Sequence, residues 1–269
     1  MKILLIIIVC LLGLYLFLIA PRMIGRADRT PFLNRHYAHR GLFDNKSPIP
    51  ENSLAAFRKA VNAGYGIEFD VQLSKDDKLV VFHDAALKRM CGVEGYVWDY
   101  TLEELKKFRL LESDERIPTL EEALRVIGGK VPLIIEYKLD RVQTKVCELA
   151  DRVLQKYQGA YCIESFHPLA VMWYRNNRPE ILRGQLCEEH FRNEGYKSPV
   201  YVLMSYLLPN VAARPDFVAY NFKHAANVSR RLCRLMGGLS IAYTIKSEAE
   251  YQQAKDKFDL FIFDSCILH

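Results

Sequence analysis

The sequence lacks the cysteine patterns of a zinc site or a disulfide framework. Its 269 residues include seven cysteines, an odd number, and these are scattered without a CxxC pair or a close Cys/His spacing. Structural zinc sites and disulfide-rich secreted domains show such spacings. We therefore expect free thiols and a reducing compartment.

The chain also lacks a strong charge bias. The formal net charge is +5, from 37 Lys and Arg against 32 Asp and Glu. No stripe of basic residues interleaved with aromatic residues runs along the chain, so we expect no nucleic acid partner. Half of the residues are hydrophobic, which excludes a disordered chain and suits one large domain or two small ones.

The longest hydrophobic run lies at the N-terminus. No residue from Ile3 to Ala20 is charged, and as a helix this run would span roughly 27 Å, close to the thickness of the hydrocarbon core of a bilayer. A cleaved signal peptide is the alternative, but no A-x-A site follows and Pro21 stands where cleavage would occur. The predicted organisation is a transmembrane anchor over 1–21, a basic linker over 22–35 and one domain over 36–269.

Positive charge follows this hydrophobic run. Lys2 and the terminal amine precede it, whereas Arg22, Arg26, Arg29 and Arg35 follow it. Because Lys and Arg concentrate on the cytoplasmic side of membrane spans, the asymmetry predicts a single-pass protein with its large domain in the cytoplasm. Unpaired cysteines agree with that compartment.

Strand-like runs alternate with helical patterns in the rest of the chain. Nine runs have the character of strands: HYAHRG, GIEFDV, KLVVFHD, VPLIIEYK, AYCIESF, ILRGQL, DFVAYNF, LSIAYTI and FDLFIFD. In the helical segment NSLAAFRKAVNAG, Asn52 or Ser53 can cap the start and Gly64 the end. Thr101 and Thr119 can cap two further helices. This alternation predicts an α/β fold with a mainly parallel sheet.

Two of the nine runs are too close in sequence for a helical crossover. Only six residues, QLSKDD, separate GIEFDV from KLVVFHD, so these runs should form a β-hairpin about the turn SKDDK. The other eight suit a (β/α)₈ barrel, which typically needs about 250 residues. We therefore predict a TIM barrel with a β-hairpin near its second strand. An open, doubly wound sheet is the alternative, but no Gly-rich phosphate loop follows the first strand.

Two carboxylates at alternate positions interrupt the run GIEFDV. In a strand, Glu68 and Asp70 point to the same face, where each would raise the pKa of the other. A hard cation such as Mg²⁺ or Ca²⁺ would relieve the repulsion, since both ions prefer oxygen ligands. A hairpin whose polar face simply meets water is the alternative interpretation.

The register of the hairpin decides which residue faces these carboxylates. If the turn is centred between Lys75 and Asp76, His83 lies opposite Glu68. A shift of one residue brings Asp84 there instead. The apolar pattern does not choose between the two registers.

Two further strand ends carry polar side chains. VPLIIEYK ends with Glu136 and Lys138 on one face, and HYAHRG ends with His39, Arg40 and Gly41. In barrels, such strand ends line the active-site mouth. A divalent ion beside Arg and Lys would neutralise a phosphate-like anion, and two histidines can supply a proton acceptor and a donor. This set favours phosphodiester cleavage over glycoside or acyl chemistry.

Taken in order, these segments resemble the glycerophosphodiester phosphodiesterases, as a membrane-anchored, bacterial-type member. The resemblance covers about residues 36–265 and rests on His39-Arg40-Gly41, Pro50-Glu51-Asn52-Ser53, Ile67-Glu68-Phe69-Asp70-Val71, Val80-Val81-Phe82-His83-Asp84, Ile135-Glu136-Tyr137-Lys138, Ser165-Phe166 and Phe263-Asp264. It implies a TIM barrel in which Mg²⁺ or Ca²⁺ is bound by Glu68, Asp70 and Glu136. It also implies His39 and His83 as the acid/base pair, Arg40 and Lys138 as phosphate contacts, and Glu51 as support for the metal site.

The resemblance further implies a small-molecule substrate, a glycerophosphodiester, cleaved to glycerol 3-phosphate and an alcohol. In that family the glycerol 2-hydroxyl can attack the phosphorus, and water then opens the cyclic phosphate. The segment Tyr243-Thr244-Ile245-Lys246 and a longer spacer between Gly41 and Glu51 depart from the family pattern, at the wall around the leaving alcohol.

Two other functions compete with this interpretation. A phospholipase-type barrel would act on lipid or lysolipid, because the anchor holds the mouth near a bilayer. A catalytically silent binding module is the other, which the complete set of His, Glu, Asp and Lys residues disfavours. The histidines without a matching motif are interpreted as structural or surface residues: His36, His167, His190, His224 and His269.

Overall fold

Eight parallel strands close into a barrel in the computed structural model, which describes residues 1–139, 143–192 and 198–268. The strands of the described ranges are β1 (His36–His39), β2 (Gly66–Leu73), β3 (Leu79–Val81), β4 (Leu133–Tyr137), β5 (Tyr161–Ser165), β6 (Arg183–Cys187), β7 (Phe217–Asn221), β8 (Leu239–Ile245) and β9 (Leu260–Phe263). β1 pairs with both β2 and β9, which closes the barrel, and β3 lies antiparallel beside β2. The predicted TIM barrel with a hairpin at its second strand is confirmed.

Helices connect most of the strands and cover the outside of the barrel. The described ranges contain α1 (Lys2–Ile19), α2 (Leu54–Ala63), α3 (Lys88–Cys91), α4 (Leu102–Leu105), α5 (Leu120–Ile127), α6 (Lys145–Leu154), α7 (Pro168–Asn177), α8 (Pro199–Ser205), α9 (Asn210–Ala213), α10 (Val228–Leu235) and α11 (Glu248–Ala254). Ser53 is the cap of α2, and Gly64 ends that helix in the left-handed conformation. Thr101 and Thr119 cap α4 and α5, each with a glutamate three residues later closing a capping box.

The hairpin takes the second of the two registers considered above. Val71 pairs with Val81 and Leu73 with Leu79, so the turn is centred on Asp76. Extending this register places Asp84, not His83, opposite Glu68. β3 ends at Val81, and His83 therefore lies beyond the ladder, in the segment that leads away from it.

The residues between α1 and β1 cross the amino-terminal end of the barrel. Phe32 is buried there, and its carbonyl accepts a hydrogen bond of 2.9 Å from the Tyr37 hydroxyl. Both rings pack with Phe217 at the start of β7. A Cβ at Gly184 would lie 2.0 Å from the Phe217 ring. Position 184 of β6 therefore requires a glycine as long as the Phe217 ring packs there.

Among the residues that the structure describes, one helix is long and apolar enough to cross a membrane, and this helix is α1. It starts at Lys2 and ends at Ile19, within the anchor predicted over residues 1–21. The limits drawn from the sequence for the anchor, the linker and the domain stay predictions.

Candidate active site

Three carboxylates meet at the carboxyl end of the barrel. Glu68 and Asp70 lie on β2 and Glu136 on the adjacent β4, where Asp70 and Glu136 are paired across the ladder. One oxygen of each lies within 4.8 Å of the others. The three side chains are 1% to 5% exposed. The convergence that the sequence predicts is therefore present in the fold.

The close approach of three buried carboxylates is electrostatically costly. Burial and the charges of Asp70 and Glu136 raise the pKa of Glu68 well above its usual value. Burial acts in the same direction on Asp70, but Lys138, His83 and Arg40 outweigh it and hold the pKa of Asp70 well below its usual value. Mg²⁺ and Ca²⁺ prefer oxygen ligands, and carboxylates are common among them. These three residues fit such an ion.

Two cations contact the carboxylate cluster. The Lys138 ammonium lies 2.9 Å from Asp70 Oδ1 and donates to Glu136 Oε1 at 2.6 Å. The backbone N–H of Arg40 donates to Glu68 at 3.2 Å, and its guanidinium lies 3.5 Å from Asp70. Both predicted phosphate contacts therefore lie at the carboxylate cluster, and their role in binding phosphate stays a prediction.

An aspartate orients the imidazole of His39. Its Nδ1 lies 2.9 Å from Asp264 Oδ2, at the end of β9. An Nδ1–H that donates to this carboxylate leaves Nε2 as an acceptor, and Nε2 lies 3.9 Å from Glu68 Oε2. Burial lowers the pKa of His39 even though Asp264 opposes the shift. A neutral imidazole with a free Nε2 is suited to accept a proton.

His83 has an equivalent partner in the neighbouring residue. Its Nδ1 lies 2.7 Å from Asp84 Oδ1, and the Arg89 guanidinium binds the same carboxylate at 2.5 and 3.0 Å. The buried Gln72 amide on β2 donates to the carbonyls of Phe82 and Asp84 at 2.7 and 3.0 Å. This clamp fixes the segment that carries His83.

Glu51 contacts cations rather than the carboxylate cluster. Its oxygens accept hydrogen bonds from Arg40 at 2.6 Å, from Asn45 at 2.8 Å and from Arg89 at 2.7 and 2.9 Å. Burial would raise its pKa, but these partners lower it to about 2. Glu51 therefore holds two guanidinium groups in place beside the site.

Several residues of this arrangement had no role in the active site in the sequence-based interpretation. Asp264 and Asp84 orient the histidines, Asn52 donates to Asp70 at 2.9 Å, and Gln72 holds the His83 segment. The end of a strand was the available signal for Asp264. Nothing in the apolar pattern marks Gln72.

A fourth carboxylate, Glu164 on β5, is paired across the ladder with Glu136. It is 1% exposed, and its Oε2 has no hydrogen-bond partner among the residues that the structure describes. Burial and the nearby charge of Glu136 raise its pKa well above the usual value. Glu164 therefore lies beside the cluster in surroundings that disfavour its charged form. The signal for it was the alternation in YCIES, which repeats that of GIEFD.

Two clefts are lined by residues of the candidate site. A cleft of about 690 Å³ is lined by the apolar side chains of Leu42, Phe43 and Ile267 and by many charged residues, among them His39, Arg40, Lys46, Arg89, Lys246 and Asp264. A second cleft, of about 650 Å³, is lined by Glu136 and Lys138 together with the apolar side chains of Phe166, Val200 and Met204.

The remaining histidines lie in structural contacts where they are described. His36 packs edge-on against Tyr251 and Phe261. His167 caps α7, accepting from the Leu169 N–H at 3.2 Å, and His224 accepts from the Glu189 N–H at 3.2 Å. His269 and the side chain of His190 lie outside the described part of the chain.

Comparison with known proteins identifies the family. The model of the glycerophosphoryl diester phosphodiesterase family matches residues 39–219. The chain belongs to this family. A glycerophosphodiester phosphodiesterase of Caldanaerobacter subterraneus is 50% identical over 109 residues, which cover 38% of this chain and 44% of that protein. One from Bacillus subtilis is 27% identical over 273 residues, covering 91% of this chain and 88% of that protein.

A solved structure has the same barrel fold as this protein. An Oleispira antarctica phosphodiesterase, described in complex with the product sn-glycerol-3-phosphate, superimposes with a TM-score of 0.69 at 25% identity. The match covers 87% of this chain and 94% of that protein. The match to the Caldanaerobacter protein, by contrast, covers less than half of that protein's length.

Proposed function

We propose that the protein hydrolyses glycerophosphodiesters to glycerol 3-phosphate and an alcohol with a divalent cation, Mg²⁺ or Ca²⁺. One observation carries the proposal. The three buried carboxylates lie beside two cations and two aspartate-oriented imidazoles, at the end of the barrel where active sites form.

Glu68, Asp70 and Glu136 would hold the ion. When bound, a divalent cation polarises the phosphoryl oxygens and offsets the charge that builds up on them. Arg40 and Lys138 bind the phosphate and supply further positive charge in a buried site, where its effect on the transition state is largest. Glu51 orients the Arg40 guanidinium for this contact.

The two histidines move the protons. His39 Nε2 takes the proton of the glycerol 2-hydroxyl as that oxygen attacks the phosphorus. The bond from phosphorus to the leaving alcohol breaks, and His83 gives a proton to the departing oxygen. Water then opens the cyclic phosphate with the two roles reversed, which regenerates both imidazoles.

The N-terminal helix is retained as an anchor in this proposal, and the arginines after it favour a barrel on the cytoplasmic side. Contacts between its last turns and the barrel support retention. Ile19 is fully buried, and its carbonyl accepts from Asn210 at 3.0 Å. Arg214 donates to the carbonyls of Phe17 and Ala20 at 2.7 and 3.0 Å. Cleavage as a signal sequence would remove these contacts.

The direct test uses the full chain purified in a mild detergent. It is incubated with glycerophosphocholine and related diesters with Mg²⁺ or Ca²⁺, and release of glycerol 3-phosphate is measured. We expect saturable turnover that stops on chelation and on replacing His83 by Ala. Absence of glycerol 3-phosphate from every diester with either ion contradicts the proposal.

The second cleft favours one other substrate class. Phe166, Val200 and Met204 give an apolar wall to the cleft that contains Glu136 and Lys138, and an acyl chain would suit that wall. A phospholipase-type activity on lysolipid is therefore the second candidate. The ratio of kcat/KM for lysophosphatidylcholine to that for glycerophosphocholine decides: a ratio well above one favours the lipid.

A further inference from the structure

The direction of α1 relative to the barrel is fixed by contacts at both ends of the barrel. After α1, the Arg22 N–H donates to the carbonyl of Pro215 at 2.8 Å, and Arg29 donates to Gly237 at 2.9 Å. Pro215 and Gly237 directly precede β7 and β8, so residues 22–29 lie at the amino-terminal end.

Seven residues earlier, a side chain of α1 contacts an element at the other end. The Tyr15 hydroxyl lies 2.6 Å from the Ser229 hydroxyl. Ser229 is in the first turn of α10, which follows β7 and therefore starts at the carboxyl end of the barrel. Followed backwards from Arg22, α1 thus climbs from the amino-terminal end towards the active-site mouth.

The rest of α1 leaves the domain in that direction. Residues 2–14 and Phe17 are exposed, whereas the other residues of 15–21 are buried or half-buried against the barrel. Thirteen helical residues extend about 20 Å, which reaches deep into a hydrocarbon core of about 30 Å without crossing it. The apolar part of the helix that could enter a bilayer therefore projects on the side of the mouth.

A second apolar surface lies on the same side. The carbonyl of Met204, near the end of α8, accepts from Cys187 Sγ at 3.1 Å, at the carboxyl end of β6. The carbonyl of Ser205 accepts from Asn227, just before α10, at 3.4 Å. α8 therefore stands on the rim of the mouth.

α8 presents apolar side chains to the outside. Its sequence, PVYVLMS, contains no charge, and Val200, Val202 and Leu203 are exposed. Val228, in the first turn of α10 beside α1, is exposed as well. Exposed apolar groups that cluster at one face mark an interaction surface.

We propose that the mouth of the barrel faces the bilayer and that α8 enters the interface between lipid headgroups and acyl chains. The occupant of this surface is the lipid of the membrane that holds α1, because α1 leaves the domain on this side. Substrate would then reach the carboxylate cluster from the membrane surface. The inference rests on the retained anchor of the proposed function.

Tryptophan quenching tests this orientation in the full chain. The chain is reconstituted in nanodiscs of phosphatidylcholine with brominated acyl chains, and the variants Leu203→Trp and Leu235→Trp are compared. Leu235 is a matched control because it is 82% exposed but ends α10 at the amino-terminal side of the barrel. The quenching of the parent chain, which contains Trp98 and Trp173, is subtracted. Val200→Trp provides a second rim position, and circular dichroism verifies folding.

We expect the brominated lipid to quench the rim tryptophan several-fold more than the control, and aqueous acrylamide to show the opposite order. Equal quenching at both positions, a reversed order or no lipid quenching at the rim overturns the inference. The readout requires no turnover. A chain that hydrolyses glycerophosphocholine without rim quenching refutes the orientation alone, whereas a quenched but inactive chain refutes the proposed hydrolysis alone.

Discussion

At the scale of single residues, the site depends on carboxylates that hold their partners in one orientation. Asp264 and Asp84 each bind the Nδ1 of a histidine, which leaves both Nε2 atoms free for proton transfer. The two histidines differ in surroundings. His39 is the more buried of the pair, and burial lowers its pKa. This difference is the basis for treating His39 as the base and His83 as the acid.

The leaving group distinguishes these roles. A general acid contributes roughly 10²–10⁴-fold for a poor leaving group and much less for one that needs no proton. We expect His83→Ala to lose far more activity on glycerophosphocholine than on a glycerophosphate ester of p-nitrophenol, and His39→Ala to lose activity on both. Initial rates on the two substrates are the measurement. The opposite pattern would exchange the roles of the histidines.

Glu51 links the site to the pH dependence of stability. Its pKa is lowered to about 2 in the folded chain, below the usual value of about 4.3. Its contribution is therefore complete above about pH 4.5 and is lost as the pH falls towards 2. For a shift of about two units it is on the order of 3 kcal/mol.

Urea unfolding from pH 7 to pH 3 measures this contribution. The difference in free energy of unfolding between the wild type and Glu51→Gln should be constant down to about pH 5 and then shrink, because Gln resembles protonated Glu. Glu103→Gln on exposed α4 serves as the control, with little effect throughout. A difference that grows on acidification would contradict this explanation.

At the scale of elements, apolar runs and caps predicted the strands and several helix ends, but not the hairpin register. β2 alternates between a polar and an apolar face, but β3 (Leu79–Val81) is apolar at every position, so alternation cannot select a register. The turn centred on Asp76 decides it. Contacts between distant elements, such as His39 with Asp264, depend on barrel closure and leave no local pattern.

The clamp from Gln72 to the His83 segment gives the prediction at this scale. Gln72→Leu removes two buried donors and should cost about 1–3 kcal/mol. It should also lower kcat on glycerophosphocholine, with a smaller loss on the p-nitrophenyl ester, because His83 is no longer positioned. Kinetics on both substrates and urea unfolding provide the measurement.

Thr101→Ala is the matched control for Gln72→Leu. It removes the cap of α4 and should cost about 1 kcal/mol, with kcat unchanged. If Gln72→Leu lowers stability without changing kcat on either substrate, the clamp does not position His83.

At the scale of the whole molecule, closure of the barrel brings together residues from β1, β2, β4 and β9. The sequence indicates which strand ends are polar, and the barrel rule then predicts that they meet. The hydrophobic run indicates the length of α1 but not the end of the barrel from which it leaves. That direction follows from contacts of Tyr15 and Arg22 with residues about 200 positions later.

The account as a whole depends on cation binding by the carboxylate cluster. The measurement is the rate of glycerol 3-phosphate release by the full chain, stripped of metal by a chelator and titrated with Mg²⁺ or Ca²⁺. Asp70→Asn and Glu136→Gln are titrated in parallel. Glu164→Gln is the control, since burial raises the pKa of Glu164 and Gln resembles the neutral form that this shift favours.

We predict that either ion or both restore the rate saturably, that Asp70→Asn and Glu136→Gln lose at least about 100-fold, and that Glu164→Gln stays within a few-fold of the wild type. A rate that neither the chelator nor the two carboxylate substitutions reduce would contradict the account.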